Sequence, residues 1–412
     1  MKVIFRNIHL YLSLAAGLVI MTCCFTGAVL VFEKELQEAF NHDRYFVTEK
    51  EILSPLQQLA DGVKKHYSSA KITSLKVYPD PQRSVEIGIT MPADKKENTA
   101  DRTSERQVGA AASSPAAAGA KPTGPGGGNN YTAFVNPYTG KVLELYSYRE
   151  TFFYSMFALH RWLLGGSDSI GKTITGVATF IFLFILITGI ILWWPRNRAI
   201  LMKRLKIKTN ASWKRINHDL HIVLGFYASI FLFIFAFTAL AWSFKWFNNA
   251  IYTVTGSSMK SVEPPRSTYT SGSNFVNYDS AYIAVMKAAG SARYYTLRAP
   301  ADTTAPFTVS VLPMGVHESA TDNYYVDQYT GAIIGTQKFS ERNLGQRIRS
   351  TFKPVHTGSI YGLPSKIVAF IVCVLGVTFP VTGTIMWLKR LSKNRKRKAA
   401  GKPVVVEEEE YQ

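Results

Sequence analysis

Residues 173–195 read TITGVATFIFLFILITGIILWWP and include no charged side chain over 23 positions. At about 1.5 Å per residue, a helix of this length measures roughly 34 Å, which is enough to cross a bilayer. Paired tryptophans end the run and RNR follows it, a pattern typical of a cytoplasmic membrane face. His160, Arg161 and Trp162 precede it. The stretch therefore predicts a transmembrane helix with a histidine shortly before its start.

The same plan returns near the C-terminus. VHTGSIYG surrounds His356, and TGTIMWLKR closes an uncharged run over residues 367–388. Two further uncharged runs cover residues 7–32 and 220–244, and each is long enough to span a bilayer. The sequence therefore predicts four transmembrane helices.

Lysine and arginine outnumber aspartate and glutamate by 47 to 28, and most of the excess lies beside the predicted helices. The loop over residues 195–218 holds eight basic and no acidic residues, and the tail from Lys389 onward holds eight basic residues against four glutamates. By the positive-inside rule, both termini and this loop are cytoplasmic and the two large loops face outward. The pattern indicates contact with anionic lipid rather than with nucleic acid.

The predicted fold is an α+β membrane protein in which transmembrane helices alternate with soluble segments. The boundaries are 1–32, 169–195, 218–244 and 364–388 for the helices, 33–168 and 245–363 for two outward domains, 196–217 for a basic cytoplasmic loop and 389–412 for a cytoplasmic tail. Within the first outward domain, residues 93–130 are rich in Ala, Gly, Ser and Pro and predict a flexible linker.

Each outward domain is predicted to combine one helix with antiparallel strands. In the first domain, SPLQQLADGVKKHY has the pattern of an amphipathic helix, ITSLKVYP and SVEIGITMP are strand-like, and VNPYTGKV is typical of a hairpin. In the second, YDSAYIAVMKAAG, RYYTLRAP, FTVSVLP and VDQYTGAI follow in the same order. This order indicates a duplicated helix-plus-sheet module.

The duplication extends into the membrane segments. His9 and His221 each lie 17 positions before a threonine of their own predicted span. Both halves begin on the cytoplasmic side, so we expect a parallel repeat related by a pseudo-twofold axis along the membrane normal. Such symmetry can bring His9 opposite His221 near the inner surface, and His160 opposite His356 near the outer one.

Together these motifs resemble the PepSY-associated transmembrane family of bacterial inner-membrane proteins. The likeness is carried by LHRWLLGG, TGIILWWPR, HTGSIYGLPSK, TGTIMWLKR and the two hairpin sequences, and it covers nearly the whole chain outside the linker and tail. The best understood members are similar to ferric-siderophore reductases that hold two b-type haems among four helices. The resemblance implies a multi-pass inner-membrane protein with large periplasmic loops. No flavin or nicotinamide reductase module is visible, so it also implies an external electron donor, either membrane quinol or a cytoplasmic reductase.

A b-type haem between helices needs two neutral imidazoles from different elements and basic groups for its propionates. His160 with Arg161, and His356 with Lys353, are the candidates for an outer haem. The alternative for each histidine is an interfacial residue in an aromatic belt. Two imidazoles on each iron would leave no open position, which favours electron transfer over oxygen binding.

The inner haem has one candidate ligand on the first span and two on the third. His9 is the first, while His218 and His221 share a helix face one turn apart. The equal spacing to the following threonine favours His221. His218 is either the ligand or an interfacial residue hydrogen-bonded to Asp219 or to the propionates.

The threonines of the Thr-Gly and Thr-Ala pairs are interpreted as packing residues, because threonine bonds its own helix and small neighbours permit close approach. They are Thr26, Thr188, Thr238 and Thr382. The three cysteines lie within predicted spans and are interpreted as structural thiols. The absence of C-x-x-C-H excludes covalent c-type haem.

No P-loop, G-x-G-x-x-G, H-E-x-x-H or G-x-S-x-G motif is present, so no catalytic side chain is predicted. The predicted function is a di-haem reductase that passes electrons across the membrane to a ferric siderophore or another ferric chelate. The alternative is a non-enzymatic membrane protein whose PepSY-like domains bind a peptide, a protease or an envelope partner.

Overall fold

The computed structural model describes residues 2–92, 128–195, 197–269 and 275–400. The chain divides into two compact units. The helical unit comprises Met1–Val31, Met156–Phe247 and Val355–Gln412, and the sheet unit comprises Phe32–Ser155 and Asn248–Pro354. The predicted linker lies mostly outside the described residues, although Gly128 to Asn130 already belong to a strand. The end of the predicted tail, from residue 401, also lies outside them.

Within the described residues, four apolar helices are long enough to span a membrane, which confirms the four predicted spans, and they belong to the helical unit. They are α1 (Lys2–Val31), α6 (Ile170–Trp193), the third span over α8 (Trp213–Asp219) and α9 (Gly225–Ser243), and α13 (Leu363–Ala399). Their mean hydropathy over 18 residues is 2.2 to 2.6. Because α13 continues to Ala399, the basic residues from Lys389 extend the fourth helix instead of beginning a separate tail.

The third span contains a π-helical turn, Leu220–Leu224, between α8 and α9. Such turns are rare and occur frequently at functional sites. His221 lies within this turn. No proline or glycine pair in the sequence signals it.

The helices of this unit pack through small and aliphatic residues. α1 packs against α6 and α13, and α9 packs against the same two helices. Buried Ala16, Ile20, Ala228 and Leu232 contribute to the shared core. A Cβ at Gly376 would lie 2.6 Å from the Cys24 sulfur, so glycine is what permits α13 to approach α1 so closely.

The sheet unit contains one eight-stranded antiparallel sheet in the order β4-β3-β2-β1-β5-β6-β7-β8. The strands of the first half are β1 (Lys71–Val77), β2 (Val85–Pro92), β3 (Gly128–Val135) and β4 (Val142–Tyr146). Those of the second half are β5 (Ala292–Arg298), β6 (Phe307–Pro313), β7 (Asp322–Val326) and β8 (Ile333–Gln337).

The two predicted outward modules therefore share one sheet and are not separate domains. β1 pairs with β5, with Leu75 opposite Leu297. This pairing removes two exposed strand edges, which would otherwise be open to non-specific association. Asp279 accepts hydrogen bonds from the backbone N–H groups of Leu56 (2.7 Å) and Gln57 (3.0 Å), so one module caps the helix of the other.

The module helices cover one face of the sheet, as the apolar alternation of the strands predicts. They are α4 (Leu56–His66) and α11 (Tyr278–Ala289). Leu59, Val63 and Val285 are almost fully buried against Leu75 and Leu297 of the central strands. Complete burial of each such side chain contributes about 1.5–3 kcal/mol.

Both predicted hairpin turns are confirmed. Gly140 and Gly331 have φ of 68° and 71°, a conformation that only glycine adopts without strain. Asn136 and Asp327 begin the turns, and their side-chain oxygens accept hydrogen bonds from the backbone N–H groups two and three residues later.

The remaining helices are short connections. They are α2 (Glu33–Phe40), α3 (His42–Tyr45), α5 (Phe152–Trp162), α7 (Arg198–Arg204), α10 (Lys245–Val254) and α12 (Leu344–His356). Two of them end at or near candidate ligands, since α5 carries His160 and α12 ends at His356.

Candidate functional site

Four of the five candidate histidines make the same kind of contact in the helical unit. In each case ring atom Nδ1 lies against a threonine hydroxyl on a neighbouring helix, and the ring also bonds the backbone of the residue three positions before that threonine. The four histidines are His9, His160, His221 and His356.

His160 and His356 each contact the first span of their own half of the chain. His160 Nδ1 lies 3.0 Å from the Thr26 hydroxyl and 3.0 Å from the Cys23 carbonyl oxygen. His356 Nδ1 lies 3.2 Å from the Thr238 hydroxyl and 2.9 Å from the Phe235 carbonyl oxygen.

His9 and His221 instead contact the second span of their own half. His9 Nδ1 lies 3.1 Å from the Thr188 hydroxyl and 3.0 Å from the Ile185 carbonyl oxygen. His221 Nδ1 lies 2.8 Å from the Thr382 hydroxyl, and the backbone of Phe379 also bonds this ring.

These contacts determine which nitrogen of each ring carries the proton. A carbonyl oxygen can only accept a hydrogen bond, so Nδ1 must be the donor. In a neutral imidazole the other nitrogen, Nε2, then has its lone pair available. Each of the four rings is therefore prepared to bind a metal through Nε2.

His160 and His356 face each other. Their ring centroids are 6.1 Å apart with an interplanar angle of 67°. Trp242 lies edge-on to His356 at 5.5 Å, and Phe157 packs against Trp162 at 5.3 Å. Arg161 is close enough to both histidines to interact with them electrostatically. The site thus combines two imidazoles, aromatic walls and one guanidinium group.

His9 and His221 line a common cavity of about 520 Å³. Its described lining includes seven basic residues and no acidic residue, and the seven are Lys2, Arg6, Arg204, Lys214, Lys389, Arg390 and Lys393. Cavities of 300–1,000 Å³ are typical of cofactor and small-molecule sites. The charge of the lining indicates an anionic occupant.

Parts of the cavity wall are formed by aromatic rings and by glycines. Trp193 stacks on Phe226 with centroids 3.6 Å apart and planes inclined by 7°. Phe379 lies edge-on to His221 at 5.8 Å. Gly189 and Gly383 also line the cavity. Flat walls and glycine surfaces suit a planar ligand.

His218 also lines the cavity, but it makes a different contact. Its Nδ1 lies 3.3 Å from Asp219 Oδ1. Asp219 is buried, and it also accepts hydrogen bonds from Arg215 Nε and from the backbone N–H of Lys208. This buried carboxylate network corresponds to the hydrogen-bonded alternative considered for His218.

Lys353 and the three histidines that were not candidates belong to the sheet unit. Lys353 precedes His356 by three residues on α12 but belongs to the sheet unit, so its role stays a prediction. His42 and His66 are exposed, and His317 is half-buried against Phe339.

The interpretation of the four threonines as packing residues alone was incomplete. Each of them also holds a histidine ring through its hydroxyl. The recurrence of Thr-Gly at similar places in three spans was the signal that could have shown this. The partner of each threonine could not be read from the sequence, because His9 and Thr188 are 179 positions apart.

Among the described residues, no three His, Cys, Asp or Glu side chains form a group that could hold a metal ion. A bare metal ion usually requires three or four protein ligands. Two imidazoles suffice when a macrocycle supplies the other donors. Each histidine pair could therefore hold the metal of such a macrocycle.

The profile of the PepSY-associated TM region family matches residues 6–390. No curated protein shows significant similarity to the chain. The match includes all four membrane-length helices up to Arg390, both sets of strands and all five candidate histidines. The chain therefore belongs to the PepSY-associated TM region family and is a multi-pass membrane protein.

Proposed function

We propose that the protein is a bacterial inner-membrane reductase with two b-type haems, one between His160 and His356 and one between His9 and His221. The single observation that carries this proposal is the fourfold contact of Nδ1 with a neighbouring helix. This contact leaves the Nε2 lone pair of each histidine available, two in the His160–His356 pair and two in the His9–His221 pair.

The spacing of the first pair fits axial ligation. With metal–nitrogen distances of about 2.0–2.1 Å, two imidazoles on opposite sides of one metal have centroids about 6 Å apart. The observed separation of His160 and His356 is 6.1 Å. Arg161 supplies positive charge for a propionate at this site.

The second pair fits the same cofactor through its cavity. The seven basic residues of the lining complement two carboxylates, and the stacked Trp193 and Phe226 provide an apolar wall. We assign His221 as the ligand opposite His9, because it shares the threonine contact of the other three histidines. His218 keeps a positioning role through Asp219.

A b-type haem in each site would supply one-electron transfer. The protein holds the two imidazoles of each pair on different helices and places aromatic side chains around them. Because two histidine nitrogens would hold the metal at each site, neither site would be suited to oxygen binding.

The two sites would lie on opposite sides of the membrane. Thr26, which holds His160, comes 17 residues after His9 on the continuous helix α1, a rise of roughly 25 Å. We propose that the His9 end is cytoplasmic and that the chain consists of two parallel repeat halves. The matching histidine–threonine contacts in each half and the symmetric strand order support this arrangement.

Electrons would enter at the His9–His221 site from membrane quinol or a cytoplasmic reductase. They would leave at the His160–His356 site to a periplasmic ferric chelate such as a ferric siderophore. Reduction weakens a chelate built from hard oxygen donors, because these bind Fe(III) more strongly than Fe(II).

Three tyrosines of the predicted outward segments are candidates for the substrate surface, Tyr148, Tyr154 and Tyr361, and they differ in exposure. Tyr361 is 81% exposed and is available to a soluble chelate. Tyr148 is half-buried beside Tyr154. The pKa of its hydroxyl is raised, mainly by burial and also by the negative charge of Glu33.

The test uses full-length protein purified in detergent from haem-replete cells. We expect the visible spectrum of low-spin b-haem, sharpened by dithionite, with two haems per chain. Addition of a ferric hydroxamate or catecholate chelate to the dithionite-free reduced protein should restore the oxidised spectrum. A colourless protein would overturn the proposal and favour the non-enzymatic alternative. A haem protein that ferric chelates do not reoxidise would overturn the substrate assignment.

A further inference from the structure

The four threonines that contact the histidines share a second hydrogen bond. Each hydroxyl donates its proton to the carbonyl four residues earlier on its own helix. The distances are 2.7 Å for Thr26, 2.7 Å for Thr188, 2.8 Å for Thr238 and 2.9 Å for Thr382. A hydroxyl has only one proton, so each of these oxygens can only accept a hydrogen bond from its histidine.

The Nδ1 atoms of His9, His160 and His356 thus meet two acceptors, one hydroxyl and one carbonyl, and Nδ1 of His221 meets the Thr382 hydroxyl. For His9 the two acceptors are Thr188 at 3.1 Å and the Ile185 carbonyl at 3.0 Å. Protonation at Nε2 instead would leave the Nδ1 lone pair facing the carbonyl oxygen, and the threonine could donate to the ring only by giving up the hydrogen bond to its own helix. In a buried site that arrangement loses a hydrogen bond and adds repulsion. The threonine and the carbonyl therefore fix the tautomer and also the rotation of the ring.

The residue after each threonine shapes the space for the ring edge. A Cβ on Gly189 would lie 3.3 Å from His9 Cε1, and one on Gly383 would lie 3.2 Å from His221 Cε1. The corresponding distance for Gly27 and His160 is 3.4 Å. A Thr-Gly pair thus provides a hydrogen-bond acceptor and, next to it, a notch for the Cε1 edge.

We propose that Thr26, Thr188, Thr238 and Thr382 are positioning residues for the metal ligands, an inference that rests on the haem function proposed above. Each threonine holds its histidine as the Nδ1–H tautomer and aims Nε2 away from the threonine-bearing helix. The hydrogen bonds also increase the electron density that the imidazole offers to the iron, which stabilises the ferric form.

The experiment compares substitutions at Thr188 with a matched threonine on the same helix. Thr179 donates to the Thr175 carbonyl at 2.7 Å and has no hydrogen bond to a histidine among the described residues. Haemin is titrated into full-length protein purified without haem, for wild type, Thr188→Val, Thr188→Ser and Thr179→Val. We expect Thr188→Val to bind haemin about 10–100-fold more weakly at the His9–His221 site. Thr188→Ser, which keeps the hydroxyl, and Thr179→Val should stay close to wild type.

The midpoint potential of the same site gives a readout that a packing role would not move. We expect the midpoint potential to shift to a more positive value in Thr188→Val and to stay unchanged in Thr188→Ser. Without the hydrogen bond, the His9 imidazole would donate less electron density to the iron and stabilise the ferric form less. Thr382→Val, at a less buried position opposite the same cavity, is the second variant if Thr188→Val does not fold.

The outcomes separate this inference from the proposed function. Wild-type haemin affinity and midpoint potential in Thr188→Val and Thr382→Val would overturn the positioning role. Equal losses in Thr188→Ser and Thr188→Val would also overturn it. If wild type takes up no haemin, or if His9→Ala binds as much as wild type, the haem function itself fails.

Discussion

The His160–His356 and His9–His221 pairs hold their rings by the same contacts but lie in different surroundings. His160 and His356 have aromatic neighbours and the guanidinium of Arg161 close to both rings. The other pair opens into a cavity of about 520 Å³ with seven basic residues in its lining. The hydrogen bonds of the rings are thus a common device, and the electrostatics around them are specific to each site.

Two properties of the sites therefore have different origins: the orientation of the histidine rings and the charge of their surroundings. The threonine and carbonyl acceptors depend only on the geometry of a single helical turn, so they recur in all four places. The basic residues of the cavity lining come from the ends of several helices, and they lie at the His9–His221 site. Positive charge near a redox centre favours its reduced state, so we expect removal of basic residues from the cavity lining to lower the midpoint potential of the His9–His221 site.

The largest expected effect is the loss of one haem by a single ligand substitution. His160→Ala should remove the haem of its own site and leave the other, because the two pairs share no ligand. The ratio of haem to protein, measured as the pyridine haemochrome, should fall by half. His66→Ala, at an exposed helix end of the sheet unit, is the control and should keep both haems. Loss of both haems in His160→Ala would contradict the independence of the sites.

The second effect concerns which histidine of the third span is the ligand. His221→Ala should abolish haem at the cavity site, whereas His218→Ala should retain it, because His218 Nδ1 bonds the buried Asp219 carboxylate and His221 Nδ1 bonds the Thr382 hydroxyl. Haem stoichiometry and the low-spin electron paramagnetic resonance signals measure the difference. The reverse result would transfer the ligand role to His218.

A smaller effect should follow from changes in the residue after each threonine. Gly383→Ala brings a Cβ to 3.2 Å from His221 Cε1, so the ring must move by a few tenths of an ångström. We expect altered low-spin signals at the cavity site and a modest loss of haemin affinity. Ala239→Gly, next to Thr238 at the His356 ring, is the matched variant and should change little, since alanine is already accommodated there. Equal responses would contradict a role of glycine in shaping the notch.

The smallest expected effect concerns single charges around the cavity. Arg390→Gln removes one of seven basic groups and should weaken haemin binding by about 0.2–1 kcal/mol, at most about fivefold. The loss should shrink at high salt, because exposed charges are screened. Lys398→Gln, on the same helix but outside the cavity lining, should have no effect on a haemin titration. A salt-independent loss would indicate a packing contribution of Arg390 instead.

The sequence by itself determined the elements whose signals are local. Uncharged runs longer than 20 residues predicted four spans, and Tyr-Thr-Gly turns predicted two hairpins, all of which the structure contains. The candidate histidines stood out for the same reason, because their distance from a span end can be counted along the chain. The family resemblance followed from these motifs and is shown by the match over residues 6–390.

Only the tertiary structure decided the features that join distant residues. His9 meets Thr188 across 179 positions, and β1 joins β5 across more than 200, so no local pattern specifies either pair. The π-helical turn at His221 has no local sequence signal, and the buried Asp219 joins its own helix to the backbone N–H of Lys208 in the preceding loop. Hydrophobic patterning tells which residues leave water, but hydrogen-bond partners in a dry interior are fixed by the packing of the helices. The four threonines, which the sequence indicated only as packing residues, contact the imidazoles because of that packing.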